Sequence, residues 1–197
     1  MEKEMARLST EERQKIIIDE AINIIHEGGY ESLSIRELAK RVKISEPAIY
    51  RHFLNKEDIV LGILTRISDF DQQLIQSLNK KKTSQKKLNE FICFHFKFLE
   101  KNKNMTSVIF AEDIFMQSKI LKEKLMKIIM HRQKLITSII EEAKEKKKIK
   151  NIDTTELSKI IIGLIRMTVL EWKLSDFNFS LVKKGNSITK TFEKLIF

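Results

Sequence analysis

One cysteine, one proline and five glycines in 197 residues are the first scarcities of this chain. A lone Cys93 excludes an intrachain disulfide framework and suits a reducing compartment. So few turn residues cannot supply the many tight connections of a sandwich or barrel, which leaves an all-α fold as the expectation. Long apolar runs are also missing. The most apolar stretch, Ile160 to Leu170, is interrupted by Gly163, Arg166 and Thr168, so no membrane segment is expected. The opening MEKEMARLST is charged and lacks an apolar core, which argues against a secretory signal and for a cytoplasmic protein.

Metal and catalytic signatures are absent too. Cys93 and His95 stand two apart, on different sides of any helix, and His26, His52 and His131 lie on separate segments. There is no zinc box, Gly-rich phosphate loop or nucleophile elbow. No metal site, no cofactor and no enzymatic activity are therefore expected.

What the chain does have is hydrophobic residues (42%), charged residues (32%) and a net charge of +10. The first two suffice for a packed core. The charge is uneven: residues 1–58 hold 10 Lys and Arg against 12 Asp and Glu, and the remainder holds 27 against 15. The surplus gathers at Lys80, Lys81, Lys82, Lys86 and Lys87 and at Lys144, Lys146, Lys147, Lys148 and Lys150. Both runs flank apolar-periodic segments and read first as solvated helix ends. Net charge alone does not establish a nucleic-acid partner.

The N-terminal pattern is more informative. Ser9 with Glu12 forms a capping-box signature, followed at helical spacing by Ile16, Ile17, Ala21, Ile24 and Ile25. Gly28 and Gly29 end that helix with a conformation that costs Gly nothing. Ser34 and Glu37 repeat the box before a short helix carrying Leu38, Ala39 and Val42, and Ser45 opens another with Pro47 in its first turn. Asn55 then caps a longer segment. Two short helices separated by Val42-Lys43-Ile44 match a helix-turn-helix unit. Ile49 and Phe53 anchor its second helix, leaving Glu46, Pro47, Ala48, Tyr50, Arg51 and His52 outward, where a short helix can enter the major groove.

The stretch IIIDEAINIIHEGGYESLSIRELAKRVKISEPAIYRHFLNKEDIV, residues 16–60, closely resembles the N-terminal domain of TetR-family transcriptional regulators. GGYESLSIRELA, SEPAIYRHF and NKEDI fall in order and without gaps. Two positions depart: Lys43 stands where the turn usually has Gly, which implies a strained turn, and Ile25 where Phe is commoner. The resemblance implies an N-terminal three-helix helix-turn-helix domain (1–55) and a C-terminal helical ligand-binding and dimerisation domain (56–197). It also implies double-stranded DNA as partner. Glu46, Pro47, Ala48 and Arg51 would sit at base-reading positions. Ser34, Arg36, Tyr50, His52 and Lys56 would sit at phosphate-contacting ones, which position the domain without reading sequence.

Beyond Lys56 the expected helices are 56–79, 84–101, 104–116, 118–148, 154–175 and one at the C-terminus. Helix 154–175 is apolar nearly all round apart from the stripe Lys159, Arg166 and Lys173, so it needs two partners. A homodimer burying Leu157, Ile161, Leu164, Ile165 and Thr168 with Ile188, Phe192 and Leu195 of the last helix would supply the second. The resemblance implies the same helix pair. It further implies a pocket for a small hydrophobic effector. Candidate lining residues are Phe91, Phe94, His95, Phe98, Phe110, Phe115, Met116, Met126, Met130 and Trp172, all of which also suit an ordinary core. The expected function is a ligand-responsive regulator, a repressor released from a palindromic operator. The alternatives are a DNA-binding architectural or cell-cycle factor with a protein partner, and a helical ligand-sequestering protein.

Overall fold

A computed structural model describes residues 8–116, 118–146, 149 and 152–196. Among these residues the chain forms helices and turns and no strand. The α-helices are α1 (Thr10–Gly28), α2 (Ile35–Val42), α3 (Glu46–Tyr50), α4 (Lys56–Asn79), α5 (Ser84–Lys101), α6 (Lys103–Ile109), α7 (Glu112–Met116), α8 (Lys119–Glu145), α9 (Thr154–Leu174) and α10 (Leu181–Ile196). They belong to two compact units. The first comprises the chain up to Ser68 together with Asn104–Leu125, and the second comprises Asp69–Lys103 and the chain from Met126 onward.

In the first unit the caps form where the sequence places them. Ser9 Oγ accepts from the Glu12 amide (3.2 Å), and the Glu12 carboxylate accepts from the Ser9 amide (2.8 Å). Gly29, at φ 76° and ψ 176°, ends α1 in a region that is costly for residues with a Cβ. Only half of the second box forms. Ser34 Oγ accepts from the Glu37 amide at 3.1 Å, but the Glu37 carboxylate turns to Arg41 Nε at 2.9 Å. Arg41 also reaches Glu27 (2.7 Å) and Glu20 (3.4 Å) of α1, so one guanidinium ties the first two helices together. The Asn55 side chain caps α4 by accepting from the Asp58 amide at 2.9 Å. Ile17, Ala21, Leu38, Ile49 and Ile59 are fully buried at the centre of this unit.

The expected helix 104–116 is broken in two. At Phe110 and Ala111 the backbone tightens, with the Ala111 amide bonded to the Val108 carbonyl, and Glu112 and Asp113 then open α7, where acids are favoured. Polar side chains fasten this segment to the first helices. Asn104 Nδ2 donates to Asn23 Oδ1 (2.5 Å), His26 Nδ1 pairs with Ser107 Oγ (2.8 Å), and Ser118 Oγ donates to Glu57.

The second unit is built on α5, against which α10 lies closely and α9 also packs. Gly185 permits that approach: a Cβ there would stand 2.5 Å from Phe96 Cδ2. Leu181, Gly185, Thr189, Phe192 and Ile196 form the inward stripe of α10, and Glu100 accepts from its Val182 amide at 2.9 Å. From α9 the inward set is Leu157, Ile161, Ile165, Thr168, Val169 and Trp172. Trp172 Nε1 donates to the Phe179 carbonyl (2.7 Å), and its ring meets Phe177 edge-on. The indole thereby holds the 175–180 turn, where Asp176 and Phe177 have positive φ. Lys87 and Glu142, 2.6 Å apart, bring the first lysine run next to the end of α8. Lys147, Lys148 and Lys150 lie outside the described residues.

Candidate nucleic-acid interface and effector site

The helix-turn-helix follows from three local choices. Ser34 and Ser45 cap α2 and α3 through their hydroxyls, Pro47 occupies the first turn of α3, and Lys43 ends α2 in the left-handed region at φ 60°, ψ 46°. That last conformation is the strained turn expected from a Lys in a Gly position. Ile49 and Phe53 are buried, which fixes the roll of α3 about its axis.

That roll sets what faces outward. Ser34, Arg36, Glu46, Pro47, Tyr50 and Arg51 are exposed, and Ala48 is half-buried. His52 and Lys56 are placed differently. The His52 ring is half-buried with Nδ1 enclosed and unpartnered. Burial, and then the charges of Arg13 and Arg51, push its pKa down, so it faces the surface as a neutral ring. Lys56 Nζ lies 3.7 Å from the Tyr30 ring centroid and donates to the Tyr30 carbonyl at 3.1 Å. In this arrangement it braces the start of α4 against the turn after α1. Lys40, 3.7 Å from the Glu37 carboxylate, and Lys43 are also exposed on and after α2. They add positive charge that a motif-by-motif reading passes over.

The expected effector residues separate into groups. Phe91 and His95 are buried and Phe94 and Phe98 half-buried on α5. Phe115 is buried, Phe110 half-buried and Met116 exposed in the first unit. Met126 and Met130 are about half exposed on α8, and Trp172 is committed to its turn. Around Phe70 of α4 the first group forms an aromatic cluster, with ring centroids at 5.3 Å (Phe94), 4.9 Å (His95) and 4.7 Å (Phe98). The guanidinium of Arg132 from α8 covers the Phe70 ring at 4.8 Å, and its Nε donates to Asp71 Oδ1 at 2.7 Å. Asp71 is 5% exposed. Sequence reasoning missed Phe70, Asp71 and Arg132. Asp71 and Arg132 stand 61 positions apart, and no local pattern links an acid on α4 with an Arg on α8.

His95 Nδ1 lies 2.6 Å from the Phe91 carbonyl; a carbonyl only accepts, so this nitrogen carries the proton. Burial, reinforced by the Arg132 charge, lowers its pKa to about 3 against the opposing Phe91 hydrogen bond. The folded state therefore binds the second proton, at Nε2, far more weakly than the unfolded chain does. The stabilisation of the neutral form is complete above pH 6.5 and is lost as pH falls from 6.5 toward 3, with a slope of about 1.4 kcal/mol per unit. Chemical denaturation at stepped pH should show this component in the parent and not in His95→Phe. Parallel curves for the two proteins would refute the assignment.

The expected dimer residues also divide. Leu157, Ile161, Ile165, Thr168 and Phe192 lie in the chain's own core, Leu164 and Ile188 are half-buried, and Leu195 is exposed. The apolar side chains that α9 leaves in solvent are Ile160, Met167 and Leu174, 58%, 56% and 75% exposed. Their spacing of seven runs them along one line of the helix. Gly163 lies beside that line with nothing within 4 Å of where a Cβ would stand. The wider apolar arc of α9 packs in the chain's own core, and the line Ile160, Met167 and Leu174 is what α9 leaves in solvent.

Two short helices, α2 and α3, braced by the longer α1 and joined to a second helical unit form a protein of the helix-turn-helix DNA-binding class. Residues 17–63 match the model of bacterial regulatory proteins of the tetR family, and residues 64–195 match that of the YsiA-like protein C-terminal region. The chain belongs to the TetR family. It is 29% identical over 175 residues to the fatty acid metabolism regulator protein of Bacillus subtilis (strain 168), which covers 87% of this chain and 89% of that one. It superposes with TM-score 0.79 and 27% identity on the crystal structure of the transcriptional regulator FadR from Bacillus subtilis in complex with stearoyl-CoA, over 89% of this chain and 95% of that one. The nucleoid occlusion factor SlmA of Glaesserella parasuis is 20% identical over 177 residues, 89% of this chain and 88% of its own.

Proposed function

We propose that this protein is a ligand-responsive repressor that binds a palindromic operator as a homodimer in the cytoplasm and is released by a long-chain acyl-CoA. The observation that carries the DNA reading is the outward set on α2 and α3, with Arg36, Tyr50 and Arg51 exposed around buried Ile49 and Phe53. Residues 1–55 read DNA, with Glu46, Pro47, Ala48 and Arg51 toward bases and Ser34, Arg36 and Tyr50 toward phosphates. His52 and Lys56 support that surface from behind. The remainder, residues 56–197, binds the effector and dimerises through the exposed line of α9 and Leu195 of α10. Two reading helices one DNA turn apart then address the two half-sites.

The effector class rests on the relative solved with stearoyl-CoA and on the aromatic cluster around Phe70. The effector acts by binding the operator-incompetent conformer more tightly, the only way a ligand shifts such an equilibrium. Helix α4, whose halves belong to different units, is the covalent route for the change. Selection of bound duplexes from a random pool at two salt concentrations tests the reading. A palindrome should be enriched and should be released by micromolar palmitoyl-CoA. Binding without enrichment that collapses with salt would mean that the lysine runs act non-specifically and would overturn it. A second reading, a DNA-binding cell-cycle factor, is favoured by the likeness to nucleoid occlusion factors along 89% of the chain; operator binding indifferent to every acyl-CoA would select it.

A further inference from the structure

We infer that Arg132 is the specificity-determining residue of the effector site: its guanidinium donates to the carbonyl oxygen of an acyl thioester, and the site rejects the free fatty acid of the same chain. The inference rests on the acyl-CoA reading above and assigns it an atom.

The geometry is that of a polar head station in an aromatic wall. Arg132 has five N–H donors. Nε–H is given to Asp71, and the described residues offer the other four no acceptor within hydrogen-bond distance. The guanidinium carbon lies 4.8 Å from the centroid of the Phe70 ring, so the remaining donors sit beside an apolar wall. The side chain is 22% exposed, against 7% for that of Asp71. The pair is thus open on the arginine side and closed on the aspartate side. Phe94 and Phe98, both half-buried, flank the same ring and offer apolar surface to a chain whose head lies at Arg132.

Electrostatics decides which head. The Asp71 carboxylate already neutralises the guanidinium, and His95, whose ring also meets Phe70, is buried and uncharged. The station therefore has four unused donors and no net charge. A thioester carbonyl meets both conditions, because it accepts one or two hydrogen bonds and brings no charge. A fatty carboxylate would put a second anion beside Asp71 with one cation between them, in a setting that screens poorly. To enter uncharged it must take up a proton, which for a carboxylic acid at pH 7 lowers affinity by roughly a hundredfold or more.

The test is calorimetric titration of the full chain with three C16 ligands: palmitoyl-CoA, S-hexadecyl-CoA (the thioether that lacks the carbonyl) and palmitate. The parent should bind the thioester roughly tenfold or more tighter than the thioether, as expected for a hydrogen bond from a charged donor, and palmitate weakest. In the double variant Asp71→Asn/Arg132→Leu, which removes both charges and leaves none buried alone, the thioester-to-thioether ratio should fall to about one. A merely structural ion pair would weaken both ligands together and leave the ratio intact, and that result overturns the inference. So does a parent that binds thioester and thioether equally. A parent that binds neither CoA ligand would instead remove the acyl-CoA reading itself, and the inference with it.

Discussion

Arg51→Ala is expected to weaken operator binding by roughly tenfold to a hundredfold and to flatten preference at one base pair of each half-site, with melting temperature unchanged. The magnitude is that of one bidentate arginine–guanine contact, about 1–3 kcal/mol. The selectivity follows from burial. Arg51 is the exposed C-cap of α3, whereas Ile49 and Phe53 on either side of it carry the packing. Removing the guanidinium therefore costs the fold nothing measurable. Arg36→Ala is the control for a different kind of contact. It should weaken binding evenly across sequences and reduce the slope of log affinity against log salt by about one. Gel-shift titrations of both variants on the selected operator and on scrambled duplex at two salt concentrations separate the cases. An Arg51→Ala protein with parental affinity and base preference would refute its assignment to the bases.

Much of this surface was legible from sequence because each feature there depends on local chemistry. Hydroxyl caps at Ser9, Ser34 and Ser45, the Pro in the first turn of α3 and the strained Lys43 are all short-range signals, and the structure reproduces them. Ile49 and Phe53 could be assigned to the core because a helix of five residues is stable only if something holds it. His52 and Lys56 show the limit. Family position puts both at phosphates, but the lysine ammonium lies on Tyr30 and the histidine ring is tucked in. Tyr30 is 26 positions from Lys56 and Gln14, which donates to the His52 carbonyl, is 38 positions from His52, distances that no local pattern encodes. The aromatic site shows the same division. Phe91, Phe94, His95 and Phe98 share a helix and could be grouped by periodicity. Asp71 and Arg132, 61 positions apart, become a pair only when α4 and α8 pack. The break at Phe110–Ala111 is similarly silent, since no Gly or Pro marks it.

The exposed line of α9 leads to the other large effect. The variant Ile160→Glu/Met167→Glu should be a folded monomer with operator affinity lowered by about a hundredfold or more, whereas Ile161→Glu should not fold. Ile161 is 0% exposed, and a carboxylate there would be buried without a partner, a cost of several kcal/mol that few single domains tolerate. Ile160 and Met167 lie in solvent in the isolated chain, so glutamates there add no strain to the monomer. In a twofold interface the same line meets its own copy, so four introduced carboxylates would face one another across a water-poor seam. The open space at Gly163 allows two such helices to approach closely, and Leu195 is a further exposed apolar side chain on α10. Loss of the dimer also removes linked binding to two half-sites, which is worth two to four orders of magnitude in affinity. Light scattering gives the mass, thermal melting the integrity, and gel shift on the palindrome the affinity. An intact dimer in the double variant would show that this line is not the seam. A well-folded monomer from Ile161→Glu would return the interface to the opposite face, the one that the helical periodicity of the sequence first pointed to.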